Sequence, residues 1–324
     1  MVFFYKTNII SFLIVYGWTL LLTGCERGDN AIIMAHDAEV MSVSFSSDSR
    51  YMITGSQDGT ARIFDADNSF EMVCELSGHA SWVYQAEFMP GNREIVTAGL
   101  DSELKLWSFG SCDEIRTYSG HTDRVRAVSV HPSGNSFVSC GWDSTLISWD
   151  VETAEILFLI HGHEEKICDL TLSPDGSVIA TASRDNVVSL WDNSTGIHLH
   201  DLKGHTADLK GVRFTKDGKY IASAGFDSTA IIWNAGDGSV KHLLAGHQSL
   251  LYTVAFTPDG QYLASAGNDG RIIIWRVEDG KIKHILFPYA AIRKLSFSPD
   301  GNILAAACAD GIVRLYKTTE MKLK

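Results

Sequence analysis

GHEEKICDLTLSPDGSVIATASRDNVVSLWD, residues 162–192, is the stretch that decides the fold. Ile167, Leu170 and Leu172 make a short apolar run, Pro174-Asp175-Gly176 a turn in which proline presets φ and glycine accepts φ > 0. Val178 to Ala182 and Val187 to Trp191 read as second and third strands, and Ile197 to Leu202 as a more variable fourth. Short β-rich runs with turn signals every 8–12 residues indicate an all-β chain. The unit recurs. His79, His121, His163, His205 and His247 stand 42 residues apart, each after a glycine, and Trp107, Trp149, Trp191, Trp233 and Trp275 keep the same period. So do Asp101, Asp143, Asp185, Asp227 and Asp269. Self-similarity at this period marks a radially repeated propeller, one four-stranded blade per repeat.

With Gly-His opening the unit and Trp-Asp closing it at Trp149-Asp150 and Trp191-Asp192, the chain resembles the WD-repeat family. The resemblance runs over residues 31–317 and seven copies. It implies an all-β, seven-bladed β-propeller with four antiparallel strands per blade. It also implies a buried network in which the indole N–H donates to a Ser or Thr hydroxyl, the hydroxyl to the imidazole, and the imidazole N–H to the carboxylate. The hydroxyl residues are Thr54, Thr97, Ser139, Thr181, Ser223 and Ser265, four before each aspartate. His163, Thr181 and Asp185 could be mistaken for a catalytic triad, but the same trio recurs blade after blade. The ends deviate: Phe64 replaces the tryptophan of the first blade, and Pro288, Ala306 and Tyr316 leave only Asp310 in the last.

A propeller must close its last blade. The family closes it with an N-terminal strand, and Ala31–Met34 precedes His36 as His242–Ala245 precedes His247. We therefore expect Ala31–Met34 to be the closing strand; the rival is Met321-Lys322-Leu323-Lys324, which alternates like Lys281–His284. Residues 318–324 otherwise read as a tail.

Residues 1–24 are foreign to the repeat. Lys6 is followed by an apolar run from Ile9 to Leu22, too short for a bilayer span but the length of a secretory apolar region. Leu22-Thr23-Gly24-Cys25 resembles the bacterial lipoprotein signal box, which implies cleavage before Cys25, acylation of its sulfur, and a lipidated tether over 25–30. Two or three acyl chains anchor stably. Glu26 follows, and by the enteric sorting rule a residue other than Asp there favours the outer membrane. The expected location is the periplasmic side of a bacterial envelope. The family's fourth strand runs from the bottom face to the top, so the anchor would leave from the bottom. The five residues Glu26–Asn30 reach roughly 18 Å at most.

The chain has 324 residues and a formal net charge of −12, which argues against general nucleic-acid affinity. Cys74, Cys112, Cys140, Cys168 and Cys308 are an odd, scattered set, not a disulfide framework. Cys140 and Cys308 sit where other repeats have small residues and read as packed. No zinc spacing appears, and no cofactor motif. His198 and His200 alternate on an outer strand, a weak metal signal.

In the family, partners dock on the top face. Its positions after the Gly-His turn carry over to Trp82, Tyr84, Arg124, Arg126, Lys166, Lys210, Tyr252 and Arg293, and those preceding the repeat aspartate to Trp142, Arg184 and Phe226. Trp82 and Trp142 are the only tryptophans that neither the repeat nor residues 1–24 explain. Exposed aromatics and arginines anchor interfaces, and the basic arc Arg124, Arg126, Lys166, Arg184, Lys210 suits an acidic peptide or a carboxylate ligand. The alternative is that these side chains pack on one another around the channel mouth. The leading expectation is a monomeric, non-catalytic protein-interaction scaffold. Recognition of a small molecule or cell-wall fragment, and a role like that of propeller lipoproteins in outer-membrane assembly, are alternatives.

Overall fold

Seven four-stranded antiparallel sheets form a closed ring in a computed structural model that describes residues 31–323. Blade 4, for example, is Ile167–Leu172, Val178–Ser183, Val187–Asp192 and His198–Lys203 in that order. The first strand of each blade lies innermost and touches that of the next, and blade 7 touches blade 1. Between neighbouring blades lie apolar clusters; Trp191, for instance, packs with Leu170, Ile179 and residues of blade 3. The propeller is the way such two-faced sheets bury both faces without leaving a long open edge at the centre.

Ala31–Met34 closes the ring. It pairs antiparallel with Ile312–Lys317, Ile33 opposite Val313, and the buried Ile33 side chain packs with Ala35, Val40 and Leu315. The described part of the C-terminal rival, Met321–Leu323, forms no strand. Met321 and Leu323 instead turn inward and bury against blades 6 and 7, and the Thr318 hydroxyl donates to the Gly301 carbonyl at 2.6 Å.

Two irregularities repeat and set up the candidate site. In every blade the first strand bulges after its first residue, so the second has no partner in the register: Tyr84, Arg126, Cys168, Lys210 and Tyr252 are five of these. A bulge bends the strand and re-aims the side chain it releases. In every blade the residue after the repeat aspartate has positive φ, from Gly59 at 86° to Ser144 at 59° and Asn186 at 71°. That conformation closes the tight turn between second and third strands, and it is why Gly, Asn or Ser stands there.

The cysteine reading needs one correction. Cys74, on the outer strand of blade 1, is disulfide-bonded to Cys112, in the turn before the outer strand of blade 2. Their 38-residue separation says nothing of proximity; the side-by-side packing of blades brings their Cα atoms to 6.1 Å. Cys140, Cys168 and Cys308 remain free and buried.

Candidate functional site

The repeated polar network is structural, and its geometry shows why. In blade 3, His121 Nδ1 lies 2.8 Å from Asp143, His121 Nε2 lies 2.7 Å from the Ser139 hydroxyl, and Trp149 Nε1 donates to that hydroxyl at 2.8 Å. The same contacts join His79, Thr97, Asp101 and Trp107. They recur for His163, Thr181, Asp185 and Trp191, for His205, Ser223, Asp227 and Trp233, and for His247, Ser265, Asp269 and Trp275. Blade 1 keeps His36, Thr54 and Asp58 without an indole donor, Phe64 standing in its place. Each aspartate also accepts backbone N–H groups, as Asp143 does from Thr122 and Thr145. It thus caps the tight turn while holding the imidazole, and every member is satisfied.

The expectation that Asp310 stands without partners is corrected. With no histidine in blade 7, its carboxylate takes a bidentate pair from Arg314, at 2.7 and 3.0 Å, and caps the turn at Ile312 N. A guanidinium on the neighbouring strand substitutes for the imidazole.

Burial would raise the Asp143 carboxyl, but the hydrogen bond and charge of His121 outweigh it and hold the group well below the usual carboxylate range. Asp58, Asp101, Asp185 and Asp227 are depressed for the same balance of reasons. His36 and His247 are lowered, chiefly by burial. The unfolded chain therefore binds more protons than the native one, first at these histidines and then at the aspartates. The contribution of these groups to stability should be full above about pH 6.5 and should fall as pH drops, most steeply below about 4. Asp143→Ala should cost about 1–3 kcal/mol at pH 7, because it leaves the buried His121 Nδ1 with only the Thr145 hydroxyl, at 3.1 Å, in place of a carboxylate. Denaturant melts across pH check both; an acid limb in Asp143→Ala as steep as in wild type would remove this carboxylate from the explanation.

The other set forms a belt at the opposite end of the blades from the Pro-Asp-Gly turns. Backbone bonds build it: Trp142 N donates to the Arg124 carbonyl, Arg184 N to that of Lys166, and Leu100 N to that of Trp82. Each aspartate turn is thereby pinned beside the entry to its own first strand. The Trp142 indole has three cations near its face, Lys166 Nζ at 4.2 Å and the Arg124 and Arg184 guanidinium carbons at 4.4 and 5.0 Å from the ring centre. Arg126 lies 4.0 Å above Tyr84, which meets Trp82 edge-on. Farther round, Lys210 lies over Phe226, Phe226 meets Tyr252 edge-on, and Arg293 lies over Tyr252 and pairs with Glu39 at 2.9 Å.

These side chains do stack on one another, as the alternative reading expected. Tyr84 and Lys210 are buried, and the rest are half-buried. Stacking leaves donors unused. Trp142 Nε1, Arg126 Nε and Arg184 Nε are buried without a hydrogen-bond partner among the described residues. Arg184 Nε is 3.6 Å from Asp208, an ion pair too long for a hydrogen bond. Lys210 is lowered by burial, and its Nζ lies 3.2 Å from Cys168 Sγ.

Sequence reasoning missed a charge cluster on the inner strands. Asp169 of blade 4 accepts from Arg213 of blade 5 at 2.8 Å and from Lys294 of blade 7 at 3.2 Å. Glu87, pushed up by burial, lies within the field of both cations. A signal existed: where the other blades put Ser42, Gln85, Ala127, Gly211 or Thr253, all uncharged, at this strand position, blades 4 and 7 carry Asp169 and Lys294. His198, the weak metal candidate, contacts Asp201 at 2.8 Å, and no group of three or more His, Cys, Asp or Glu among the described residues could hold a metal. A cavity of about 630 Å³ lies elsewhere, between blades 4 and 5 by the turns of Pro174 and Asp217.

Fold and network together define a seven-bladed propeller built on repeated indole–hydroxyl–imidazole–carboxylate units. The chain carries WD40 repeats: the family described as WD domain, G-beta repeat matches residues 28–65, 70–108 and 112–150, and the IFT122 first beta-propeller matches 166–324. Among similar proteins are polyadenylation factor subunit 2 of Candida albicans, 29% identical over 30% of this chain and 18% of its own length, and serine-threonine kinase receptor-associated protein of Mus musculus, 32% identical over 28% and 25%. Jouberin of Rattus norvegicus is 36% identical over 21% of this chain and 7% of its own length. The chain thus covers a quarter or less of these relatives.

Proposed function

We propose that this protein is a non-catalytic interaction scaffold, held to a bacterial envelope through acylated Cys25, whose Trp142-centred belt receives an acidic segment of a partner protein. One observation carries the reading. Three cations crowd a single indole on a chain of net charge −12, and two buried N–H donors there, Trp142 Nε1 and Arg184 Nε, lack hydrogen-bond acceptors among the described residues. A partner's carboxylates would offset the crowded charge and, as the stacked side chains part around them, take up those donors in charge-assisted hydrogen bonds of the stronger kind. The WD40 repeats support the scaffold class. The Cys74–Cys112 bridge supports an exported protein, since disulfides persist in oxidising compartments such as the periplasm. Cys25 lies outside the described residues.

Capture from cross-linked envelopes tests both halves. Wild type should retain one partner reproducibly. Trp142→Ala combined with Arg184→Glu should lose it while melting near the wild-type temperature, and added salt should weaken capture in wild type. Cys25→Ser should move the protein from the membrane to the soluble fraction. Undiminished capture by the folded double variant would place the interface elsewhere, and an unchanged membrane fraction would remove the anchor.

A further inference from the structure

The residue released by the first-strand bulge follows a pattern around the ring: Tyr84, Arg126, Cys168, Lys210 and Tyr252 in blades 2 to 6, and Arg293 in blade 7. Each cation in this series lies against the residue one blade back. The Arg126 guanidinium lies 4.0 Å from the centre of the Tyr84 ring, that of Arg293 4.9 Å from the centre of the Tyr252 ring, and Lys210 Nζ lies 3.2 Å from Cys168 Sγ. Two pairs use an aromatic face, and the third uses a thiol. A ring only holds its cation, whereas a thiol beside an amine has a reaction open to it. Cys168 Sγ also contacts the Lys166 carbonyl, at 3.9 Å. Burial, together with the Arg184 and Arg126 guanidinium groups, lowers Lys210, which eases the loss of its proton. Cations this close to a sulfur favour its thiolate, the form that reacts. Cys140 and Cys308 are instead pushed up by burial, Cys308 to about 11.

We infer that Cys168 and Lys210 are a peroxide-triggered cross-linking pair, which joins blade 4 to blade 5 through a sulfur–nitrogen bond. The Cys168 thiolate takes one oxygen of hydrogen peroxide as the O–O bond breaks, and the departing hydroxide takes a proton from the Lys210 ammonium and leaves as water. Sulfur is oxidised by two electrons to a sulfenic acid, and the peroxide is reduced. The Lys210 amine then attacks that sulfur. The S–N bond forms, the S–O bond breaks, and the hydroxyl leaves as water with a proton from the amine. One thiolate, one ammonium and one peroxide thus give one S–NH link and two waters. Burial selects the reagent: Cys168 is 2% exposed and Lys210 9%, so the oxidant must be small, and a peroxide is little larger than water. Burial also favours the link, because the amine 3.2 Å away meets the sulfenic acid ahead of any thiol from solution. The reaction removes the cation that Lys210 holds over Phe226. It depends neither on the partner of the Trp142 belt nor on the anchor.

Peptide mapping of the full chain after graded hydrogen peroxide, with trypsin digestion in the absence of reductant, tests this. Wild type should yield residues 167–184 joined to residues 204–213, lighter than the two separate peptides by two hydrogens, and a phosphine reductant should part them. Cys140 and Cys308 should stay unmodified under conditions that convert most of Cys168. Lys210→Met should give no joined peptides and should slow Cys168 oxidation about tenfold, the loss of thiolate expected when a missing cation raises a thiol pKa by about one unit. The wild-type map decides the question even if Lys210→Met fails to fold. A Cys168 that stays untouched, one that reaches sulfenic or sulfinic acid in wild type without the link, or three buried cysteines oxidised at equal rates would each overturn the proposal.

Discussion

Ile33→Asp is expected to open the propeller. Ile33 is buried in the seam between blade 7 and blade 1, opposite Val313, and the strand that carries it supplies the whole outer edge of the last blade. The substitution removes an apolar side chain from that seam and asks it to accept a carboxylate for which the neighbours Ala35, Val40 and Leu315 offer no donor. Lost transfer energy and the burial of an unpaired charge together should cost at least about 4 kcal/mol. Ile32→Asp, one residue away on the half-exposed face, should change stability by no more than about 0.5 kcal/mol. Urea unfolding of the two variants beside wild type makes the comparison, and equal losses would mean that the strand's burial does not hold the ring shut.

Asp169→Ala is expected to be nearly as damaging, for an electrostatic reason. The Asp169 carboxylate joins the inner strands of blades 4, 5 and 7 through Arg213, Lys294 and the Val212 N–H. Burial alone would raise its pKa, but the two cations hold it down, so it is ionised at neutral pH. Lys294 is itself pushed down to about 8 by burial and by Arg213. Without the carboxylate, two cations would face each other in a buried channel with only Glu87 between them. Breaking such a pair typically costs about 3–5 kcal/mol. Asp169→Ala with Lys294→Met should recover part of that loss, since the second change removes the uncompensated charge. A double variant less stable than Asp169→Ala would show that packing, not charge, governs the site.

Much of the fold was legible because the repeat states it seven times. The His, Ser or Thr, Asp and Trp positions were found by period alone, and the structure joins them at hydrogen-bonding distances in five blades. The belt residues were carried over from the family's top-face positions, and they come together in the structure because the first-strand bulge and the aspartate turn recur at fixed offsets. Their stacking order was not readable: which cation lies on which ring depends on side chains from adjacent blades. Asp310 shows where the repeat pattern stops being informative. Reading it by its missing repeat partners left it alone, whereas a neighbouring strand supplied Arg314.

The amino-acid sequence by itself determined the all-β class, the seven units and the turn chemistry; it favoured Ala31–Met34 as the closing strand only through the family resemblance, and the pairing with Ile312–Lys317 decided it. The first three follow from local patterns, and a local pattern repeated seven times becomes unambiguous. Tertiary structure alone decided the Cys74–Cys112 bridge, the Asp169–Arg213–Lys294 cluster, the unpaired donors of Arg126, Trp142 and Arg184 in the belt, and the inward burial of Met321 and Leu323. Each of these joins residues from different repeats or from outside the repeat. The 42-residue period fixes what a blade contains, but only closing the ring determines which side chains of one blade meet those of another.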